Sequence, residues 1–500
     1  MGADKSRAIR HEGHSGVSLN LRRLAPSCRN GVGERRNLGT APWRKIATAE
    51  RSAVRGTYGT TIAVPLQRKP QATGRGMLIG SLNAKDPLPH ARSLHGLDWL
   101  NFSLAALLMG FGPFVAIKLA DRGWVPANIG LVLTASGVAA LLTQVPAGEL
   151  IDMSRSKRLL VGMATTAIIS AVLVFGPRPD FPSVFAGALI QGTAGSVLGP
   201  GVAAISLGVV GQEALAERLG RNQRFASIGG LTAAGIMGVI GYLLSTADIF
   251  LVTAAFGIPV ILALVRIRAD DIHFGRSCCA PDPYSTHPQR VSRAVLFEDH
   301  RLLTFATCLF LFQVANASIL PLIGETLVHA EGRWSSPVTS ALIVAPQVIV
   351  ALLAPWVGRT ANTWGRRPLL LIGLGVVPIR AAFFALTVDP ALLVVVQMLD
   401  GLSGATLGVL TTLVIADLAK GTGRFNLAQG LVGTLSAIGA SLSTSMSGLV
   451  VEKFGYTAGF LSVTTVGLIG VGILWMCMPE TKPSVVQLQI PEPRTSASER

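Results

Sequence analysis

Six ionisable residues stand where chemistry must account for them. In GELIDMSRSKR, residues 148–158, a single acid, Asp152, is followed within six positions by Arg155, Lys157 and Arg158. A carboxylate at the end of one helix can hold the free N–H groups at the start of another. If that contact exists in only one of two conformations, it biases the equilibrium between them. Arg380 and Asp400 lie inside long apolar runs. An ionisable group in hydrocarbon is costly and is normally paired. Two arrangements suit these residues: an ion pair, or an Arg380 that binds an anionic group with Asp400 as its counter-ion. The amides Gln144, Gln191, Gln313, Asn316, Gln347 and Gln397 also fall within apolar runs. There they either line a path and hydrogen-bond a solute, or tie helices together. No nucleophile, base and acid recur together, and no Walker motif or cofactor fingerprint is present. The expectation is no enzyme and no cofactor.

Long helices in a low-dielectric medium must position these residues. Half of the 500 residues are hydrophobic, 14% are charged and 55 are glycine; a soluble domain has about a quarter charged. Apolar runs recur near 99–119, 127–151, 159–176, 183–210, 225–246, 249–267, 302–324, 337–357, 368–388, 391–416, 427–450 and 456–478. About 20 apolar residues cross a bilayer as a helix. The twelve runs therefore predict an all-α polytopic protein with the bilayer as its partner. At about 1.5 Å per residue, Arg380 lies roughly 12 Å and Asp400 roughly 15 Å from the outer ends of runs 9 and 10.

The net charge of +16 does not indicate nucleic acid, because fifteen cations against four acids fall within residues 1–76. The rest lies in short loops. Loops after even-numbered runs hold Arg155, Lys157 and Arg158; Arg218, Arg221 and Arg224; Arg266, Arg268 and Arg276; Arg359, Arg366 and Arg367; and Lys420 with Arg424. Arg122, Arg178, Arg333 and Lys453 are scattered singly in the odd loops. Cations concentrate on the cytoplasmic side. Both termini are thus expected in the cytoplasm, with the protein in a plasma or bacterial inner membrane.

The expected organisation is a basic, disordered extension over 1–94, six helices over 95–267, a cytoplasmic loop over 268–300, six more over 301–478, and a cytoplasmic tail over 479–500. The extension also has the composition of a transit peptide. The reading favoured here is that translation starts at Met77, after which the chain reads as a complete membrane protein. Cys28, Cys278, Cys279, Cys308 and Cys477 form no CxxC and no cluster with His, so neither a disulfide framework nor a metal site is expected. Cys278–Cys279 reads as a plain loop pair, with lipidation as the alternative.

The halves repeat. GELIDMSRSKR lines up with GRTANTWGRRP, residues 358–368: Gly148 falls on Gly358, Asp152 on Asn362 and Lys157 on Arg367. QGTAGSVLG at 191–199 lines up with DGLSGATLG at 400–408, with four identities. LGRN at 219–222 is similar to TGRFN at 422–426. Six helices per repeat preserve orientation, which predicts two parallel repeats about an axis along the membrane normal, with a cavity between them that rocking exposes to alternate sides.

At these residues the chain resembles the major facilitator superfamily of secondary transporters over about 95–480. The family's loop motif, G-x-L-x-D-[RK]-x-G-[RK]-[RK], is matched by Gly148, Leu150, Asp152 and Lys157. Met153, Arg155 and Ser156 depart from it. The second copy keeps Gly358, Gly365, Arg366 and Arg367 but has Asn362 for the acid. The resemblance implies that Asp152 locks the halves together near the start of helix 11. Gly235, Gly238 and Gly241 lack the proline of the family's antiporter motif, and read as close-packing positions. Many proton-coupled members carry an Arg where this chain has Ala188, ahead of Gln191–Gly192. Pro113, Pro321, Gly110–Gly112 and Gly324 suggest kinks near an outer gate.

The expected function is secondary transport of a small organic solute by alternating access. Efflux of drug-like or metabolite compounds, driven by an ion gradient with H+ as the candidate coupling ion, is the first reading. Uptake of a small organic anion is the alternative, and a channel the more distant one. A monomer is expected to suffice.

Overall fold

The computed structural model describes residues 89–109, Val115, Leu119, and residues 122–175, 180–243, 246–279, 298–331, 335–387 and 389–482. Most of the extension, much of the central loop, the tail after 482, Pro113 and Gly110–Gly112 lie outside them. Among the described residues the structure is helical, with no strand. The first half holds α1 (Ala91–Met109), α2 (Pro126–Met153), α3 (Lys157–Phe175), α4 (Phe181–Val210), α5 (Leu215–Leu243) and α6, in two pieces, Thr246–Ala255 and Gly257–Arg266. The second holds α7, also in two pieces, His300–Asn316 and Ile319–Glu331, then α8 (Ser335–Trp364), α9 (Arg366–Leu386) and α10 (Pro390–Leu418). The last stretch, Phe425–Cys477, is broken at Gly455 (φ 81°, ψ 171°) into α11 and α12.

Helix ends follow from local chemistry. Asp180, Asp299 and Asp389 cap the starts of α4, α7 and α10, each accepting a first-turn backbone N–H. Pro182 and Pro390 occupy first-turn positions, where the missing N–H costs nothing. Gly365, at φ 101°, makes the sharp turn between α8 and α9 that an L side chain would strain.

Eight of the described helices are long and apolar enough to cross a membrane, one of them being the 53-residue α11–α12 stretch. α5 carries Glu217, Arg218, Arg221 and Arg224 in its first three turns. α1 begins with Arg92, His95 and Asp98, and α6 is split at Phe256.

The two halves pack alike. α2 and α3 lie on α4, and α1 lies on α5; correspondingly, α8 and α9 lie on α10, and α7 lies on α11. The halves meet where α2 faces α11 and α5 faces α8. Shifting each helix by six places, α2 forward to α8 and α11 back to α5, turns one pair into the other, the signature of the two-fold repeat.

Candidate functional site

Backbone approaches at the cation-rich end bring the halves together. A Cβ on Gly148 would collide with the Asn426 carbonyl, and one on Gly430 with that of Gln144. Across α5 and α8, a Cβ on Gly220 would lie 2.5 Å from the Ala354 oxygen, and one on Gly358 2.5 Å from that of Ala216. These positions require glycine because two backbones touch there.

Asp152 completes this seam. Fully buried at the last turn of α2, its carboxylate accepts the backbone N–H of Asn426 (3.1 Å) and of Leu427 (2.9 Å), and the side-chain amide of Asn426 (2.7 Å). Those N–H groups open α11, whose own cap position, Arg424, supplies no side-chain bond. A residue of the first half thus caps a helix of the second. Arg424 adds a bond to Glu149 at 3.4 Å, and Gln212 donates to the Ala416 oxygen at 3.2 Å and to Asp417 at 3.4 Å.

The motif cations divide. Lys157 is buried, donates to the Ile151 oxygen and lies 4.8 Å above the Phe274 ring. Arg155 is exposed and Arg158 half-buried. In the second copy Arg366 is buried and pairs with Asp417 at 3.0 Å, while bonding the Ala361 oxygen at 2.7 Å. Arg367 reaches the Trp475 oxygen. Asn362 is exposed, and its only side-chain contact among the described residues is a marginal 3.5 Å from Arg366. The α9 start is capped by Glu480, which accepts the N–H groups of Arg366 (2.8 Å) and Arg367 (3.0 Å). Each corner therefore caps a helix with a carboxylate from elsewhere, but the second does so within its own half.

The central segment also crosses the seam. Ser93 and His90 hold Asp271 at 2.6 and 2.8 Å, and the His273 N–H bonds the Gly208 oxygen at 3.1 Å. The chain then reaches the second half. The Cys279 oxygen accepts from Gly423 at 3.0 Å, that of Cys278 from Phe425 at 3.3 Å, and that of Ser277 from the Asn426 side chain at 3.2 Å. Both cysteines are buried, and burial pushes the Cys279 thiol up from its ordinary pKa. The pair is packed into the seam.

Arg380 and Asp400 form an ion pair at 2.5 Å. Arg380 is 1% exposed, and Asp400 keeps 29% of its side chain accessible. Gln397 accepts from the same guanidinium at 3.4 Å, and Asn316 accepts from it too. Of the other predicted amides, Gln191 ties α4 to α2 through Ser136 at 2.5 Å. Gln313 and Gln347 are half-buried and line neither cavity described next.

Two adjoining cavities of about 320 and 400 Å³ lie between the halves and share Gly195, Gly199 and Thr412. Their polar lining includes Gln144, Thr411 and Gln429 in one, and Asn101, Asn222 and Gln223 in the other, with no charged side chain in either. Gln144 Oε1 and Gln429 Nε2 are buried without a hydrogen-bond partner. Of the predicted amides only Gln144 lines these cavities; Gln429 and Thr412 are residues sequence reasoning missed. A ladder from Asp98 to Arg218 and Arg221, and on through Asn222 to Ser206, was also missed. It joins α1, α5 and α4.

The sequence profile of the Major Facilitator Superfamily matches residues 97–286 and 303–499. Uncharacterized MFS-type transporters of two Mycobacterium tuberculosis strains are 36% identical over 406 residues, covering 80% of this chain and 96% of theirs. The fold is similar to that of the E. coli fucose:proton symporter (TM-score 0.61, 13% identity, 76% of this chain and 97% of that one). It is similar also to a proton:xylose symporter (0.61, 12%, 78% and 97%) and to the human organic anion transporter MFSD10 (0.58, 14%, 77% and 99%). This chain, an integral multi-pass membrane protein of two six-helix repeats, belongs to the major facilitator superfamily of transporters.

Proposed function

We propose that this transporter moves an uncharged, amphipathic organic solute by alternating access, in the direction of efflux, coupled to protons through Asp400. One observation carries the substrate class: the cavity between the halves has no charged side chain, and two glutamines that line it, Gln144 and Gln429, each hold a buried amide atom, one acceptor and one donor, without a partner. A buried unpaired polar atom costs about 1–3 kcal/mol. A solute bearing both a donor and an acceptor removes that cost on binding. The uncharged lining disfavours an anionic substrate, and the buried cations Arg218 and Arg380 are already paired with Asp98 and Asp400.

The coupling reading rests on the same ion pair. Asp400 is the accessible member and can take a proton, while Asn316 and Gln397 still hold the Arg380 guanidinium. The cation-rich end, read as cytoplasmic, is shut here. Asp152, the Gly148 and Gly358 contacts, and the Ser277–Cys279 segment hold it shut.

The test is transport by the full chain in proteoliposomes with an imposed pH gradient, screened against neutral amphipaths and organic anions. Neutral compounds are expected to move against their gradient at the expense of the proton gradient. Gln144→Ala and Gln429→Ala should each raise KM about tenfold with kcat little changed, the value of one lost hydrogen bond. Selective movement of anions, with KM indifferent to both variants, would overturn the substrate assignment.

A further inference from the structure

A groove of about 360 Å³ opens at the cation-rich end between α5 and α8, away from the central cavities. Glu217, Arg221, Arg224, Phe225 and Ile228 line it from the first half, and Pro355 and Arg359 from the second. We propose that it binds the headgroup phosphate of an anionic phospholipid.

Charge is the first ground. Asp98 accepts bonds from both Arg218 and Arg221. Glu217 faces Arg359 at a loose 3.6 Å, both side chains being largely exposed. Arg224 has no ion-pair partner among the described residues. Four guanidiniums thus surround two carboxylates, and Arg221, Arg224 and Arg359 present the excess to the groove. Guanidinium forks match phosphate oxygens in geometry as well as charge.

The second ground is the order of residues along each helix. Phe225 follows Arg221 by four positions, Ile228 follows Arg224 by four, and Pro355 precedes Arg359 by four. Four positions put residues on one face, a turn apart. On both helices the apolar member lies on the side toward the membrane middle. The groove therefore has a basic mouth and an apolar floor, and Arg221 also stacks 5.8 Å over the Phe225 ring. A free phosphate would use only the mouth; a lipid uses both, and basic pockets between helices on the inner side suit anionic headgroups.

The third ground is that the groove exists only while α5 and α8 touch. The contacts of Gly220 with Ala354 and of Gly358 with Ala216 bring its walls together. A lipid bridging Arg224 and Arg359 then favours the state shut at this end. That consequence rests on the alternating-access reading, whereas binding itself does not.

Native mass spectrometry of the full chain, titrated with phosphatidylglycerol or with phosphatidylcholine of matched acyl chains, tests binding. Phosphatidylglycerol is expected to bind about fivefold more tightly per engaged arginine. Arg224→Gln should remove about that factor and Arg224→Gln/Arg359→Gln more, while Arg122→Gln, at the opposite end, should remove none. Arg224 has no ion-pair or hydrogen-bond partner among the described residues, so its single variant reads binding without a folding defect. Glycerol phosphate without acyl chains should not compete. Equal binding of the two lipids, no effect of Arg224→Gln, or competition by glycerol phosphate as effective as the lipid would each overturn the proposal.

Discussion

Replacing Asp152 with Asn is expected to raise the population open at the cation-rich end by about 5–150-fold, the usual range of a 1–3 kcal/mol coupling. The substitution keeps the shape of the side chain. It exchanges one acceptor oxygen for a donor that must face the N–H of Asn426 or Leu427, both within 3.1 Å of the carboxylate. One buried N–H loses its partner, at about 1–3 kcal/mol, and α11 loses a favourable charge at its start. Asn362→Ala removes only a marginal contact from an exposed side chain, and should change the population less than about twofold. The readout is the rate at which a maleimide modifies Cys279 when the other cysteines have been replaced. Cys279 is buried against the Ala416 oxygen across the seam, so its labelling follows opening. Equal rates in the two variants would reduce the first corner to an ordinary helix end.

The second large effect is expected at Asp400. Asp400→Asn should abolish the pH dependence of transport and lower gradient-driven transport more than tenfold, because the residue can no longer exchange a proton. The same change leaves Arg380, 1% exposed, without its counter-charge. Removing one partner of a buried pair costs about 3–5 kcal/mol, so the variant should also melt earlier. Arg380→Gln/Asp400→Asn removes both charges and should recover most of that stability without recovering coupling. Melting temperature and pH profile together separate the two roles. An unchanged pH profile in either variant would exclude Asp400 as the coupling group.

Much of this architecture was legible because the bilayer imposes length. Apolar runs and alternating loop cations delimit the helices, and the paired GELIDMSRSKR and GRTANTWGRRP corners expose the repeat. The contact between Asp152 and the start of α11 was expected only through the resemblance of GELIDMSRSKR to the family's loop motif, since no spacing within this chain links the two. Glu480 was not: it lies beyond the last apolar run, and no spacing links it to Gly365, 115 positions earlier. Asp98, Arg218 and Arg221 were hidden by position at run edges, where cations read as topology anchors although here they are shared by one buried carboxylate. The cavity residues Gln429, Thr412 and Asn222 leave no amphipathic signature. A membrane helix is apolar toward lipid as well as toward its neighbours, so the face lining a cavity differs by only one or two polar groups.

Cross-linking the shut end most directly tests the claim that transport requires the halves to part there. Glu217 and Arg359 face each other across α5 and α8 with exposed side chains. With native cysteines replaced, Glu217→Cys/Arg359→Cys joined by a short bis-thiol reagent should lose solute flux in proteoliposomes, and reducing a cleavable version of the same link should restore it. Undiminished flux through the fully cross-linked protein would contradict alternating access between these two halves.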